Sequence, residues 1–238
     1  MKAIVVRDKD KLRILATDSL QYLFQKNQGK PILFLTSGGS SFSLLKNLKI
    51  SHKDNITIGV LDERYSLDVL VNNFSQLKET NFFKKYLKQF NGVIDTTVKE
   101  GESLEDFAER INIAFKNWKR NNARGIVVAT IGMGSDGHIS GIMPFPENEV
   151  VYEGLFNNPR NWVVGYDAGN KNQYRHRATT TLPFLRNEVD FAIFYVTGEE
   201  KKQALGVFLA DDRKTDDVPA RVIHQMKDVI LFTDIEIV

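Results

Sequence analysis

The stretch Gly132-Met133-Gly134-Ser135-Asp136-Gly137-His138 places a carboxylate two residues before an imidazole, in a loop otherwise built of small residues and one methionine. Histidine titrates near neutrality and can take a proton from water at physiological pH. A carboxylate beside it can orient the ring. Asp136 and His138 can also ligate a metal, but no third ligand stands at a telling spacing. Gly132-x-Gly134-x-x-Gly137 matches the dinucleotide fingerprint as well, and that reading fails on context. The fingerprint needs a long helix directly after the glycines, whose N-terminus holds the pyrophosphate. Here the chain continues Ile139-Ser140-Gly141-Ile142-Met143-Pro144-Phe145-Pro146, where two prolines and a glycine leave room for a turn or two.

Three other stretches carry groups suited to an anionic substrate. In Thr36-Ser37-Gly38-Gly39-Ser40-Ser41, Gly38 and Gly39 let backbone amides approach an anion and the serines, Ser40 among them, add donors, although an ordinary polar turn has the same composition. In Asp62-Glu63-Arg64-Tyr65, Asp62 can take a proton and Arg64 can hold a phosphate or a developing oxyanion; Glu63 is expected in a structural ion pair. In Thr197-Gly198-Glu199-Glu200-Lys201-Lys202, one lysine can reach a phosphate, and the remaining charges are expected to be solvated. Arg175-His176-Arg177-Ala178-Thr179 offers further cations, with at least one arginine expected on the surface and His176 solvated. His52 and His224 have no informative neighbours.

These groups need a frame. The apolar runs Ala3–Val6, Ile32–Leu35, Ile56–Leu61, Ile126–Ile131, Trp162–Tyr166, Phe191–Val196 and Val229–Thr233 read as strands. Several lack polar alternation, as strands buried on both faces do. Between them lie helical stripes. Leu12, Leu15, Ala16, Ser19, Leu20, Leu23 and Phe24 share one face; Leu104, Phe107, Ala108, Ile111, Phe115 and Trp118 share another, opened by Ser103 with Asp106 three residues on. Strand–helix alternation predicts a doubly wound α/β sheet, which binds ligands beyond the carboxyl ends of its strands. Four of the strands end directly at the chemical groups above.

No repeat, low-complexity segment or linker interrupts residues 1–238, which predicts a single domain. Apolar residues make up 42 %, enough for a sizeable core. The absence of cysteine excludes disulfides, thiolate zinc sites and a cysteine nucleophile, and fits a reducing compartment. A formal net charge of +2 with dispersed lysines gives no reason to expect a nucleic-acid partner. The start, Met1-Lys2-Ala3-Ile4-Val5-Val6-Arg7-Asp8, lacks the apolar length of a secretory signal, and no stretch approaches a membrane span. A cytoplasmic protein without a membrane partner is expected.

Taken in order, Ser37-Gly38-Gly39-Ser40, Asp62-Glu63-Arg64, Gly132 to His138 and Gly198-x-x-Lys201 resemble the 6-phosphogluconolactonases, whose wider superfamily includes glucosamine-6-phosphate deaminases. The matches run from residue 31 to Pro219-Ala220-Arg221. The resemblance implies a three-layer α/β/α fold with a mostly parallel Rossmann-like sheet, a sugar-phosphate substrate and no organic cofactor. It implies hydrolysis of 6-phosphogluconolactone to 6-phosphogluconate, a step of the pentose phosphate pathway, with His138 as the base. Arg64 falls on the family's acidic-acidic-arginine motif, Arg177 on the arginine before a threonine-rich strand, and Lys201 on the lysine after the late glycine.

The chain departs from the family in two places. Ser135 stands where a proline is usual, and Ile139 to Pro144 replace a threonine-alanine-serine-leucine-phenylalanine-proline run, so two hydroxyls are lost or moved. The deaminases carry a glutamate before the proline of this loop. Met143 stands there and cannot carry a proton, so ester hydrolysis is the expected reaction. In that reading water activated by His138 attacks the carbonyl, loop amides or Arg64 stabilise the oxyanion, and Ser40, Arg177 and Lys201 hold the phosphate. Asp136 orients His138 or shapes its loop. Asp62 is the proton-abstracting base in the deaminases and is either catalytic or structural here. A deaminase-like enzyme and a non-catalytic sugar-phosphate-binding protein are the alternatives.

Overall fold

A computed structural model describes residues 1–51, 54–210 and 214–236; His52 lies outside them. β1 (Lys2–Val5) leads to α1 (Lys9–Lys26), which Asp8 caps by accepting from the amides of Asp10 and Lys11. β2 (Ile32–Thr36) runs into a 3₁₀ helix, Gly39–Asn47. β3 (Ile56–Val60) is followed after one residue by β4 (Asp62–Arg64), then α2 (Asn73–Glu79), α3 (Asn81–Tyr86), β5 (Gly92–Val93) and α4 (Leu104–Asn121). The chain continues through β6 (Ile126–Ile131), α5 (Glu149–Phe156), β7 (Val163–Asp167), β8 (His176–Thr180), α6 (Leu182–Asn187), β9 (Val189–Val196), α7 (Lys202–Leu209) and β10 (Asp228–Thr233).

Seven strands form a parallel sheet in the order β1-β10-β9-β6-β2-β3-β5. Its two faces carry separate apolar clusters. Leu33 and Leu35 of β2 point to one side with Phe107, Ile111, Phe115 and Trp118 of α4 and Phe208 of α7. Ile32 and Phe34 point to the other with Leu12, Leu20 and Phe24 of α1 and Phe82 of α3. This is the period-2 alternation of a strand buried on both faces, and it makes the three layers. The stripe on α4 is buried as its spacing predicts, and Ser103 accepts from the Asp106 amide at 3.1 Å while donating to its carboxylate at 2.7 Å. Among the described residues no helix is long and apolar enough to cross a membrane.

The run Trp162–Tyr166 does not join this sheet. β7 belongs to a three-stranded antiparallel sheet, β4-β8-β7. Residues 168–175, between β7 and β8, are too few for a parallel crossover, which needs a dozen or more. The chain therefore folds straight back. α4 covers this sheet closely: a Cβ at Gly165 would lie 2.9 Å from the Leu104 carbonyl oxygen. β4 and β5, each short, carry no clear apolar pattern and are absent from the expected strands, and β8 is anticipated only by the resemblance, as the threonine-rich strand beside Arg177.

β2 has β3 on one side and β6 on the other. The chain therefore leaves β2 and winds one way, then returns at β6 to wind the other. Such a reversal opens a crevice at the carboxyl ends of the strands.

Candidate active site

The loop after β6 is a tight, self-bonded turn. Gly134 N donates to His138 O at 2.9 Å, Gly137 N to Gly134 O at 3.1 Å, and Ala220 N to Gly137 O at 3.0 Å. Asp136 Oδ1 accepts from the His138 amide at 3.1 Å and meets His138 Nδ1 at 2.5 Å. Nδ1 is thereby committed, and Nε2 is the nitrogen left for chemistry. The imidazole lies close against Gly134, where a Cβ would fall 2.2 Å from both Cε1 and Nδ1. That contact explains a glycine at 134. Burial pushes the Asp136 carboxyl upward, but the hydrogen bonds and charge of His138 outweigh it and hold the group below its usual range.

The second wall comes from β4 and β8. Alternation along β4 turns Asp62 and Arg64 to the same face and Glu63 to the opposite one. Asp62 pairs with Thr179 and Arg64 with Arg177 in the ladder. Asp62 and Arg177 are both buried and form an ion pair at 2.9 Å, and Asn73 Nδ2 donates to the Asp62 carbonyl at 3.0 Å. Gly141 lets this pair pack against the loop: a Cβ there would lie 2.8 Å from Asp62 Cβ. The Arg64 guanidinium stacks over the Tyr174 ring at 4.3 Å and donates to Val71 O at 3.1 Å.

The third wall is the turn after β2. Gly39 has φ +64°, a conformation open to glycine, and no side chain caps the 3₁₀ helix that starts there, which leaves its first amides open. Lys201, half-buried at the start of α7, reaches the same space. Burial lowers its pKa, and Glu200 and Asp234 offset this only in part.

The three walls enclose a pocket of about 220 Å³. All the residues expected at the site except Asp136 line it: Gly38, Gly39, Ser40, Asp62, Arg64, His138, Arg177 and Lys201. Asp136 stands behind His138 and acts on it through Nδ1. Ser37 belongs to the serine-glycine stretch singled out above, whereas sequence reasoning gave no role to Asn73 or Ser140; all three also line the pocket. Their side chains are polar, buried and short of partners: Ser37 Oγ, Asn73 Oδ1 and Ser140 Oγ have no hydrogen bond, nor do Nε of Arg64 and Nε of Arg177. Buried polar atoms are normally satisfied, so this concentration points to a polar ligand. Among the described residues no group of three or more His, Asp or Glu is arranged to hold a metal ion.

Other residues fall elsewhere. Glu63 is not in an ion pair. Its carboxylate accepts from the amides of Arg64, Asn73 and Phe74 at 2.7, 2.6 and 2.8 Å and from the Thr96 hydroxyl at 2.9 Å. It faces away from Asp62 and meets the amides that open α2, which a cation could not satisfy. Burial pushes its pKa up to about 8, against the pull of all four donors. Arg175 is the surface arginine, paired with Asp167, and His176 is exposed beside the same carboxylate. Lys202 and Glu199 form an exposed pair at 3.1 Å. His224 does have informative neighbours: it stacks on Phe208 at 4.4 Å and its Nε2 lies 3.0 Å from Phe208 O. Met143 is fully buried in the core rather than in the pocket.

A model of the family described as glucosamine-6-phosphate isomerases/6-phosphogluconolactonase matches residues 12–232. The chain belongs to that family. A relative from Borreliella burgdorferi named 6-phosphogluconolactonase is 23 % identical over 184 residues, 77 % of this chain and 70 % of its own. The fold resembles a crystal structure of a 6-phosphogluconolactonase from Shewanella baltica, with a TM-score of 0.77 at 19 % identity, covering 98 % of this chain and 96 % of the other. It also resembles 6-phosphogluconolactonase from Plasmodium vivax, with a TM-score of 0.76 at 18 % identity, covering 99 % and 91 %.

Proposed function

We propose that the chain hydrolyses 6-phosphogluconolactone to 6-phosphogluconate. The observation that carries this reading is the His138 imidazole, held by Asp136 through Nδ1, in a pocket that also holds two arginines, a lysine and open amides. His138 Nε2 takes a proton from water as the water oxygen bonds to the lactone carbonyl carbon. Arg64 Nε, buried and unpaired, is the donor available to the oxyanion. Collapse breaks the bond to the ring oxygen, which takes the proton back from the imidazolium; the Asp136 carboxylate stabilises that cation in between. The amides and hydroxyl of Gly38, Gly39 and Ser40, with Lys201 and Arg177, hold the phosphate and so place the carbonyl. Asp62 is a positioning residue in this scheme: its ion pair fixes the Arg177 guanidinium in the pocket wall.

Two features bear on the alternatives. The position where a deaminase carries its glutamate is Met143, sunk in the core, so no acid stands there. A binding protein without turnover would not need the committed Nδ1 and free Nε2 of His138. The test is an assay of lactone opening with fresh 6-phosphogluconolactone, corrected for spontaneous hydrolysis, with ligand binding measured beside it. Wild type should exceed background, and His138→Asn should lower kcat by about two to four orders of magnitude with binding retained. Binding without any rate above background would make the chain a sugar-phosphate-binding protein.

A further inference from the structure

Ser140 carries two separate costs. Its φ is +46°, in the left-handed region that side chains other than glycine adopt only with strain. Its hydroxyl is buried without a hydrogen-bond partner. Glycine at 140 would remove both costs. The backbone here is fixed independently, since the Ser140 carbonyl accepts from the Thr179 hydroxyl and the next residue, Gly141, packs against Asp62 and Arg177. A hydroxyl cannot be carried by residue 141, whose Cβ would lie 3.0 Å from Asp62 Oδ2. The side chain of Ser140 thus contributes no bond to the fold, and the residue lines the pocket that holds His138.

The chemistry around it narrows what it meets. Asn73 Oδ1, also buried and unpartnered, lines the same pocket, and the Asn73 amide nitrogen touches Asp62. The Ser140 hydroxyl can donate or accept, whereas an amide oxygen and a carboxylate only accept. They repel phosphate oxygens, which at neutral pH are almost all acceptors too. A sugar hydroxyl donates and accepts at once, and suits a wall that mixes these acceptors with the free Nε of Arg177.

Resting on the lactonase reading above, we propose that Ser140 is a specificity-determining residue that hydrogen-bonds one of the three ring hydroxyls of the lactone, at C2, C3 or C4. The test compares wild type, Ser140→Ala and Ser140→Gly on 6-phosphogluconolactone and on its 2-, 3- and 4-deoxy analogues. Binding of 6-phosphogluconate and its deoxy analogues is followed by calorimetry, and stability by thermal melting. Both variants should lose about five- to tenfold in kcat/KM and in product affinity on the parent compounds, the range of one neutral hydrogen bond. Against one deoxy analogue they should lose nothing, because the partner is already gone. Melting temperature should stay within about 2 °C for Ser140→Ala and stay level or rise for Ser140→Gly. Equal losses on all four substrates by an active enzyme, or unchanged kinetics, would overturn the role of Ser140 alone. So would a melting temperature lowered in both variants, which would make the hydroxyl structural. A wild-type chain that neither opens the lactone nor binds 6-phosphogluconate would remove the proposed function, and the role of Ser140 with it.

Discussion

Gly134→Ala tests whether the placement of the His138 ring matters to the rate. Gly134 is not among the positive-φ glycines, so its backbone accepts alanine. Its new Cβ is what has no room: it would sit 2.2 Å from His138 Cε1 and Nδ1 and 2.6 Å from Asp136 Oδ1. Carbon needs about 3.5 Å, so something must retreat by more than about 1 Å. The ring and carboxylate are side-chain ends on a partly exposed loop, and they yield more cheaply than the core. The movement breaks the 2.5 Å contact between Nδ1 and Oδ1. A misplacement of about 1 Å typically costs about 100-fold in rate. Initial rates on fresh 6-phosphogluconolactone should therefore show kcat down about 100-fold, with KM changed by less than about threefold because the turn after β2 and Lys201 are untouched. Thermal melting should stay within a few degrees of wild type. A folded variant that keeps kcat within about threefold would refute the claim that the ring works from this position.

Two further outcomes are expected. Lys201→Ala should raise KM for the phosphorylated lactone by about 10-fold or more, the loss of one charged hydrogen bond, and leave unphosphorylated gluconolactone unaffected; equal losses on both substrates would place Lys201 away from the phosphate. Glu63→Ala should destabilise the fold by about 3 kcal/mol or more in urea denaturation, because the buried amides of Asn73 and Phe74, the part-buried amide of Arg64 and the Thr96 hydroxyl lose their acceptor together. A cost below about 1 kcal/mol would mean that water replaces the carboxylate there.

The parallel layer of the molecule was legible because its signals are local. β2, β3, β6 and β9 are short apolar runs that stop at glycine or at charge, and α4 carries its stripe and its capping box within one stretch. The groups at the ends of those strands could therefore be gathered before any coordinates. The antiparallel wall was legible only in part: β7 reads as a strand from its own apolar run, but its pairing does not. β4 is three charged residues long, and its partner Thr179 is 117 positions away from Asp62, so neither pattern nor spacing announces the pair. The Asp62–Arg177 ion pair follows from that register and was invisible for the same reason. Glu63 was misread because the chain shows its charge and hides the four donors that meet it. Ser140 differs again. It looks like any loop serine, and only its φ and its unpaired hydroxyl set it apart.

The pairing of β4 with β8 bears on which changes of chain length the molecule can survive. Residues along a strand point alternately to opposite faces, so a slip of one position exchanges them all. One residue inserted between Leu61 and Asp62 would turn Asp62 and Arg64 out of the pocket and push Glu63 in, without altering any side chain. Arg177 would then sit buried without its carboxylate. Substitutions at these positions remove one group each, whereas a shift in count removes them together. The stretch from Leu67 to Leu70, exposed and outside any strand or helix, carries no such constraint. Related chains are thus free to vary in length just after β4, and hardly at all within it.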